Sequence, residues 1–407
     1  MAIKKSSSSS SALQSQLTPR VALVYDWLDT QVGGAEKVIL ALHQIFPAAP
    51  LYVSYVSPQP PAWLPLTLAV KTSSLSRYPF LFRHKPLAAL FLPFAFEGFN
   101  FDEYDLIVSV TSFAAKGIIT KPHQVHLSYL LTPTRFLYAQ SENYFDQWWR
   151  FLPPFKQVLR RLVRMTQRWD RLAARRPDYL LPISRHIAAQ TQTYYQLPSL
   201  PPLYPPVDTV RLEILASQLT DPNLFSPPTL PFSHYDFIVA RHVTYKRLDL
   251  AIKAAIQARR PLIIAGSGPR TSALQKLAAQ LDPQGQFCHF VGQVDDLTLA
   301  FLYQNCQLFL MPGVEDFGIT GLEAQFFGKP VLVNARSGVA ELIPHQKCGF
   351  HLSRASVAAL LEGFAWYEQA QSAISPSQIT RNAIQYQTTH FQEKFSQQTN
   401  QLWKERF

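Results

Sequence analysis

The chain has 407 residues, room for two or three domains at roughly 150 residues each. Hydrophobic residues make up 47% and charged residues 16%, which suits a core-forming protein and excludes global disorder. The net charge of +11 is lopsided: residues 1–207 hold 21 Lys and Arg against 11 Asp and Glu, residues 208–407 hold 17 against 16. The first half should therefore meet an anion: nucleic acid, a membrane surface or a phosphorylated substrate. Cys288, Cys306 and Cys348 are far apart and form no Cys-x-x-Cys pair, against a disulfide framework or a Cys-rich zinc site. A reducing compartment is expected.

Residues 1–18 carry lysines and a serine run but no apolar h-region, so they read as a disordered tail rather than a secretory signal. Strand-like apolar runs follow at Val21–Tyr25, Leu51–Val56, Asp105–Val110, Val125–Leu131 and Tyr179–Ile183. Helical patterns lie between several of them, notably Pro154–Arg176 and Ser184–Tyr195. The longest apolar run, Leu87–Phe96, contains Pro93 and is half the roughly 20 residues a spanning helix needs. Strands alternating with helices predict parallel βαβ units over 19–207. A proline-rich stretch, 208–233, reads as a linker. A second alternation fills 234–390, with strands at Phe237–Ala240, Pro261–Gly266, Phe287–Gly292, Gln307–Pro312 and Pro330–Asn334. The last helix, 391–407, is expected to cross back to the first domain. The fold class is α/β: two Rossmann-like, doubly wound domains facing a central cleft, where ligands of such sheets bind.

The most informative segment is Pro312-Gly-Val-Glu-Asp-Phe-Gly-Ile-Thr-Gly-Leu-Glu-Ala-Gln325, a strand-to-helix turn. Gly318, Ile319, Thr320 and Gly321 sit where free N–H groups at a helix start can hold an anion. Glu315 in the loop can accept hydrogen bonds from sugar hydroxyls, and Glu323 in the first turn can grip a ribose diol. Plain helix capping by an acidic first turn is the alternative. In Val239-Ala-Arg-His-Val-Thr-Tyr-Lys-Arg247, Arg241 and Lys246 can stabilise charge developing on a diphosphate without a metal, or simply be solvated. Gly33 and Gly34 permit close backbone approach to a ligand but make no Gly-x-Gly-x-x-Gly fingerprint. No Asp-x-Asp, no P-loop and no His-x-x-x-His occurs, so no metal site is expected. His126 and His242 are isolated and read as structural.

These segments together resemble glycosyltransferase family 4, retaining enzymes of the GT-B fold, and within it bacterial mannosyltransferases of O-antigen and lipid-linked glycan assembly. The resemblance runs from Val21 onward. Its first-domain cues are Val24-Tyr-Asp-Trp-Leu28, Gly33-Gly-Ala-Glu-Lys-Val38, Ala115-Lys-Gly117, Thr132-Pro-Thr-Arg135, Trp169-Asp170 and Tyr204-Pro-Pro-Val-Asp208. Tyr245-Lys-Arg247, Gly266-Ser-Gly-Pro269 and the glutamate segment are the second-domain cues. It implies a nucleotide-sugar donor, GDP-mannose foremost or a UDP-sugar, and a lipid-linked or glycan acceptor. Arg241 and Lys246 then hold the diphosphate, Glu315 the donor sugar and Glu323 the ribose, with Gly33 and Gly34 near the donor. No cofactor or metal is needed. One departure is Leu131, where relatives carry histidine, which keeps a non-catalytic GT-B binding protein as an alternative.

The basic surplus concentrates in Phe155–Arg176, with eight cations and one acid. A helix here would gather Arg160, Arg164, Arg168, Arg171 and Arg175 on one face. Phe155, Val158, Leu162, Met165, Trp169, Leu172 and Ala173 would fall opposite and pack inward. Tyr78–Phe101 adds Arg83, Lys85 and seven phenylalanines, suited to a core helix or a membrane interface. No helix-turn-helix, RNA-recognition or zinc module is present, so nucleic acid is not the expected partner. Cytoplasmic localisation, peripheral on the inner face of the membrane, is the expectation.

Overall fold

The computed structural model describes residues 19–28, 33–57, 61, 63–78, 85–138 and 156–406. The expected disordered tail lies outside them, as do Phe80, Phe82, Arg83, Phe155 and Phe407.

The first domain is a six-stranded sheet of β1 (Val21–Tyr25), β2 (Leu51–Val53), β3 (Val70–Thr72), β4 (Leu106–Thr111), β5 (Val125–Leu130) and β6 (Tyr179–Pro182). Its order is β3-β2-β1-β4-β5-β6, and every pair is parallel. All six positions of β4 and of β5 are buried, as expected of strands covered on both faces. The cover includes α1 (Gly34–Ile45), α2 (Lys85–Glu97), α3 (Lys156–Ala173) and α4 (Arg185–Tyr195).

The second domain repeats the plan with β7 (Asp236–Val239), β8 (Leu262–Ala265), β9 (Cys288–Gly292), β10 (Phe309–Met311), β11 (Val331–Asn334) and β12 (Gly349–Leu352). The parallel order is β12-β11-β10-β7-β8-β9. Its helices are α5 (Thr209–Gln218), α6 (Leu248–Ala258), α7 (Thr271–Leu281), α8 (Asp296–Asn305), α9 (Ile319–Phe326), α10 (Val357–Ala370) and α11 (Pro376–Ile384). The final helix, α12 (Thr388–Arg406), returns to the first domain. There the Phe395 ring meets Phe46, Phe391 meets Tyr129, and the Gln392 amide donates to the Ala41 carbonyl. The chain is thus two Rossmann-like domains, as the alternation predicts.

Local differences have local causes. The stretch 208–233 holds α5, opened by Asp208, whose carboxylate accepts the Arg211 N–H at 3.0 Å. The helix packs on α8 and α9, so part of the expected linker is built into the second domain. β3 and β12 are short edge strands without a long apolar run.

One buried network sets the orientation of α3. Lys116 and Asp170 form an ion pair of 2.6 Å, both side chains fully buried. The Asp170 carboxylate also accepts the Thr134 and Tyr195 hydroxyls, each at 2.8 Å. The neighbouring Trp169 donates its Nε1–H to Glu97 of α2. Its ring fills the space over Gly117, where a Cβ would stand 2.6 Å from the indole. These demands turn Thr166, Trp169, Asp170 and Ala173 inward. The expected inward face is therefore corrected: Val158, Met165 and Leu172 are exposed at 56%, 57% and 63%. Arg160, Arg164, Arg168, Arg171 and Arg175 are exposed as predicted.

His126 on β5 is fully buried, with Nε2 2.8 Å from the Ser109 hydroxyl and Nδ1 without a partner. Burial, helped by the charge of Arg176, pushes its pKa down from 6.5 to about 3. Between those values the unfolded chain binds a proton that the folded chain refuses. This histidine's contribution is therefore complete above pH 6.5 and falls as the pH drops toward 3. His186, His242 and His345 shift in the same direction, each chiefly by burial. The urea midpoint should fall between pH 7 and pH 5, and the fall should be shallower in His126→Asn.

Candidate functional site

Both sheets reverse strand order at their centre, between β1 and β4 and between β7 and β10. The loops leaving the carboxyl ends of those strands border the crevice where such sheets take ligands. In the first domain, Asp26 follows β1 and accepts the backbone N–H groups of Ser112, Phe113, Ala114 and Ala115 at 2.6–3.0 Å. That carboxylate fixes the loop after β4. In the second domain, the loop after β7 carries Arg241 and Lys246, and the loop after β10 carries Glu315.

Close backbone contact holds these two loops together. A Cβ at Gly313 would stand 2.2 Å from the Tyr245 carbonyl oxygen, so only glycine fits. The Glu315 N–H donates to the Ser337 hydroxyl at 3.0 Å, and the Gly338 N–H donates to the Glu315 carbonyl at 3.0 Å. Lys246 and Glu315, 69 positions apart, form an ion pair. Arg241 stands apart, exposed, with no side-chain partner among the described residues. Gly318 opens α9 at φ 99°, a left-handed conformation that glycine adopts without strain. Ile319 and Thr320 supply the first turn, and the Gly321 N–H closes back on the Gly318 carbonyl at 3.1 Å.

Glu323 lies deeper than the expected first turn: α9 begins only at Ile319, so Glu323 falls in its second turn, and it is buried. Burial raises its pKa, but Lys37, Arg211 and the Tyr303 hydroxyl outweigh that and hold it below the ordinary carboxylate value. Lys37 belongs to the first domain, one turn beyond Gly33 and Gly34, and pairs with Glu323 across the cleft. The Gly33 N–H donates to Glu36 at 2.8 Å, whereas among the described residues nothing is recorded within 4 Å of where a Gly34 Cβ would be. Through Lys37 the helix that follows the glycine turn meets α9.

Further contacts cross the cleft. Arg135 pairs with Asp316 at 2.5 Å, and its guanidinium lies over the Tyr245 ring, 4.7 Å from the centroid. Glu341 accepts the Arg185 and His186 N–H groups at the start of α4, at 2.9 and 2.8 Å, and the Tyr204 hydroxyl at 2.9 Å. Sequence reasoning did not assign Lys37, Arg135, Asp316, Gly313 or Glu341 to the site. Lys37 and Arg135 stand inside the Gly33–Val38 and Thr132–Arg135 cues, but their partners are 286 and 181 positions away. His242 is structural as expected, its Nδ1 2.9 Å from the Thr271 hydroxyl. Leu131 directly follows β5, half-buried, its N–H donating to the Thr111 carbonyl at 2.9 Å. Among the described residues, no three His, Cys, Asp or Glu side chains converge to hold a metal ion.

The two domains and their facing loops define the GT-B fold. Residues 234–386, essentially the whole second sheet domain, match the family described as glycosyl transferases group 1. An uncharacterized glycosyltransferase of Methanocaldococcus jannaschii is 39% identical over 89 residues, 22% of this chain and 23% of its own. The O-antigen chain mannosyltransferase C of Escherichia coli is 32% identical over 91 residues, 22% of this chain and 24% of its own. The matched segment thus spans about a quarter of the length of these curated relatives. Across the whole fold, the Anabaena protein HepE, crystallised with UDP-glucose, superposes with a TM-score of 0.63 at 17% identity, covering 94% of this chain and 99% of its own.

Replacing Gly313 by alanine should force the loops apart and cost about 1–3 kcal/mol of stability, as overpacking does. Gly34→Ala, with no described atom near its Cβ, should leave the urea midpoint unchanged or slightly raised. Equal loss in both variants would contradict this assignment.

Proposed function

We propose that the chain is a retaining glycosyltransferase that moves a sugar from a nucleotide-sugar donor to a lipid-linked or glycan acceptor in cell-envelope polysaccharide synthesis. The observation that carries the reading is the meeting of Lys246 with Glu315 at the strand-order reversal, beside the start of α9 and above buried Glu323. A donor entering this crevice replaces the internal ion pairs with its own groups. Its diphosphate takes Lys246 and Arg241, its ribose diol takes Glu323, and its sugar hydroxyls take Glu315. The N–H groups of Ile319 and Thr320 face the phosphate at the helix start. The acceptor hydroxyl attacks the anomeric carbon on the face the diphosphate leaves, and the departing phosphate oxygen receives the proton. Arg241 and Lys246 stabilise the charge on that oxygen as the bond breaks, with no metal assigned.

GDP-mannose is the first donor to test, supported by the similarity to a mannosyltransferase. UDP-glucose is the second, because a protein of the same fold has been crystallised with it. A non-catalytic binding protein is the third reading, motivated by Leu131. Thermal-shift measurements with GDP-mannose, UDP-glucose and UDP-GlcNAc identify the donor, since a bound ligand raises the melting temperature by mass action. Lys246→Ala and Glu315→Ala should each lower transfer at least ~100-fold, of the order found when one charge-stabilising group is removed, while the circular dichroism spectrum stays unchanged. Wild-type transfer in both variants would sink the donor site. Donor binding without transfer to any acceptor would favour the third reading.

The first domain is assigned to the acceptor and to an anionic membrane surface, on the inner face of the cytoplasmic membrane. Among the described residues no helix is long and apolar enough to cross a bilayer. The exposed side of α3 and the turn after it sets Val158, Met165 and Leu172 beside Arg161, Arg168 and Arg175. Phe91 and Phe94 stand exposed on α2, which Glu97 ties to Trp169 and Arg176. Cations that each gain about 1 kcal/mol near anionic lipid, beside side chains that can enter the headgroup layer, suit that surface. The protein should co-sediment with phosphatidylglycerol vesicles at low salt and not with phosphatidylcholine vesicles. Arg161→Glu with Arg168→Glu should abolish the difference.

A further inference from the structure

Among the described residues, Arg135 is the one side chain recorded as reaching from the first domain to both loops of the proposed donor site. Its backbone is anchored at home. Thr134 donates its hydroxyl to Asp170 at 2.8 Å, and Asp170 is held in turn by Lys116 and Tyr195. The guanidinium then leaves its own domain. Nε donates to Asp316 at 2.6 Å, Nη2 pairs with the same carboxylate at 2.5 Å, and the plane covers Tyr245. Asp316 and Tyr245 are the chain neighbours of Glu315 and Lys246. The Asp316 backbone is fixed as well: its carbonyl accepts the Ser184 hydroxyl at 3.0 Å. That approach needs Gly338, where a Cβ would lie 2.2 Å from the same carbonyl oxygen. The ion pair is largely withdrawn from water, with 28% and 14% of the two side chains exposed.

We propose that Arg135 is a positioning residue for transfer. It joins cleft closure to the alignment of Lys246 and Glu315 by gripping their neighbours, Tyr245 and Asp316. The proposal rests on the donor-site reading above. A planar fork suits this task, because only guanidinium engages a carboxylate and stacks on a ring at once. An ammonium keeps the charge and loses the stack. Arg135 touches neither Glu323 nor the start of α9 in the described contacts, so nucleotide affinity should depend on it little. Turnover should depend on it strongly, since small misplacements of positioning groups cost large factors in rate.

The test compares Arg135→Ala, Arg135→Lys and the near-isosteric Asp316→Asn with the wild-type full chain. Amide hydrogen exchange, measured without ligand, should speed up at least ~5-fold in peptides covering 241–247 and 313–318 in Arg135→Ala and Asp316→Asn, because local opening sets exchange. Peptides covering β4 and β5 should not change. With the donor that stabilises the wild type, GDP-mannose or UDP-glucose, kcat should fall at least ~10-fold in both variants while the Kd for GDP or UDP stays within ~3-fold. Arg135→Lys should fall between. The double reversal Arg135→Asp with Asp316→Arg should recover turnover over either single reversal. Unchanged exchange in both loops overturns the proposal whether or not a donor is found, and so does wild-type turnover in Asp316→Asn. If neither probe donor binds the wild type, the donor site fails, and exchange alone decides whether Arg135 orders the loops.

Discussion

The buried ion pair between Lys116 and Asp170 is the constraint on which much of this molecule turns. Two charges taken wholly out of water are tolerable only when their remaining hydrogen-bonding capacity is filled. Here Lys116 donates to the Phe113 carbonyl as well as to Asp170, and Asp170 accepts two hydroxyls besides. Filling that capacity recruits four separate pieces of the first domain: the loop after β4, the Thr132–Arg135 turn, α3 and α4. The pair fixes which side of α3 faces the core, and so which side shows arginine and apolar groups to solvent. It also anchors the residue from which Arg135 crosses the cleft. A core requirement in one domain thereby reaches the surface and the facing domain.

The second domain handles charge in a different way. Its candidate anion-binding cations are few, and Lys246 is already matched by Glu315. Buried Glu323 is matched by a lysine from the other domain. Each internal pair keeps a partly desolvated charge from standing alone, which would cost several kcal/mol. A ligand bearing both phosphate and hydroxyl groups can replace both partners, whereas a simple anion replaces only one. That complementarity, more than the number of cations, favours a sugar nucleotide over a generic polyanion. The excess positive charge stays on the first domain, away from this neutral balance.

Much of the architecture was legible in the sequence because parallel strands buried on both faces read as short apolar runs. Val21–Tyr25, Val125–Leu130 and Leu262–Ala265 are of this kind, each close to its expected bounds. β3 and β12 were not legible, since Val-Lys-Thr and Gly-Phe-His-Leu carry no continuous apolar run. α5 was hidden by the prolines around it, although Asp208 marks its start. The α3 prediction erred for an instructive reason. Periodicity ranks faces by hydrophobicity, but here Asp170 had buried partners to meet in Lys116, Thr134 and Tyr195, and Val158, Met165 and Leu172 stand exposed.

For the candidate site, the division follows the range of the interactions. The sequence by itself determined the two sheet domains, the glycine turns at their strand ends and the presence of Arg241, Lys246, Glu315 and Glu323 in loop-to-helix segments. Those features are local, written in residue type and spacing. Only the tertiary structure decided that Lys246 meets Glu315, that Lys37 meets Glu323 and that Arg135 reaches Asp316. Each of these pairs joins residues 69 or more positions apart. Short-range pattern carries no information about such partners, because the Lys246–Glu315 contact exists only once the second sheet has formed, and the other two only once the domains face each other.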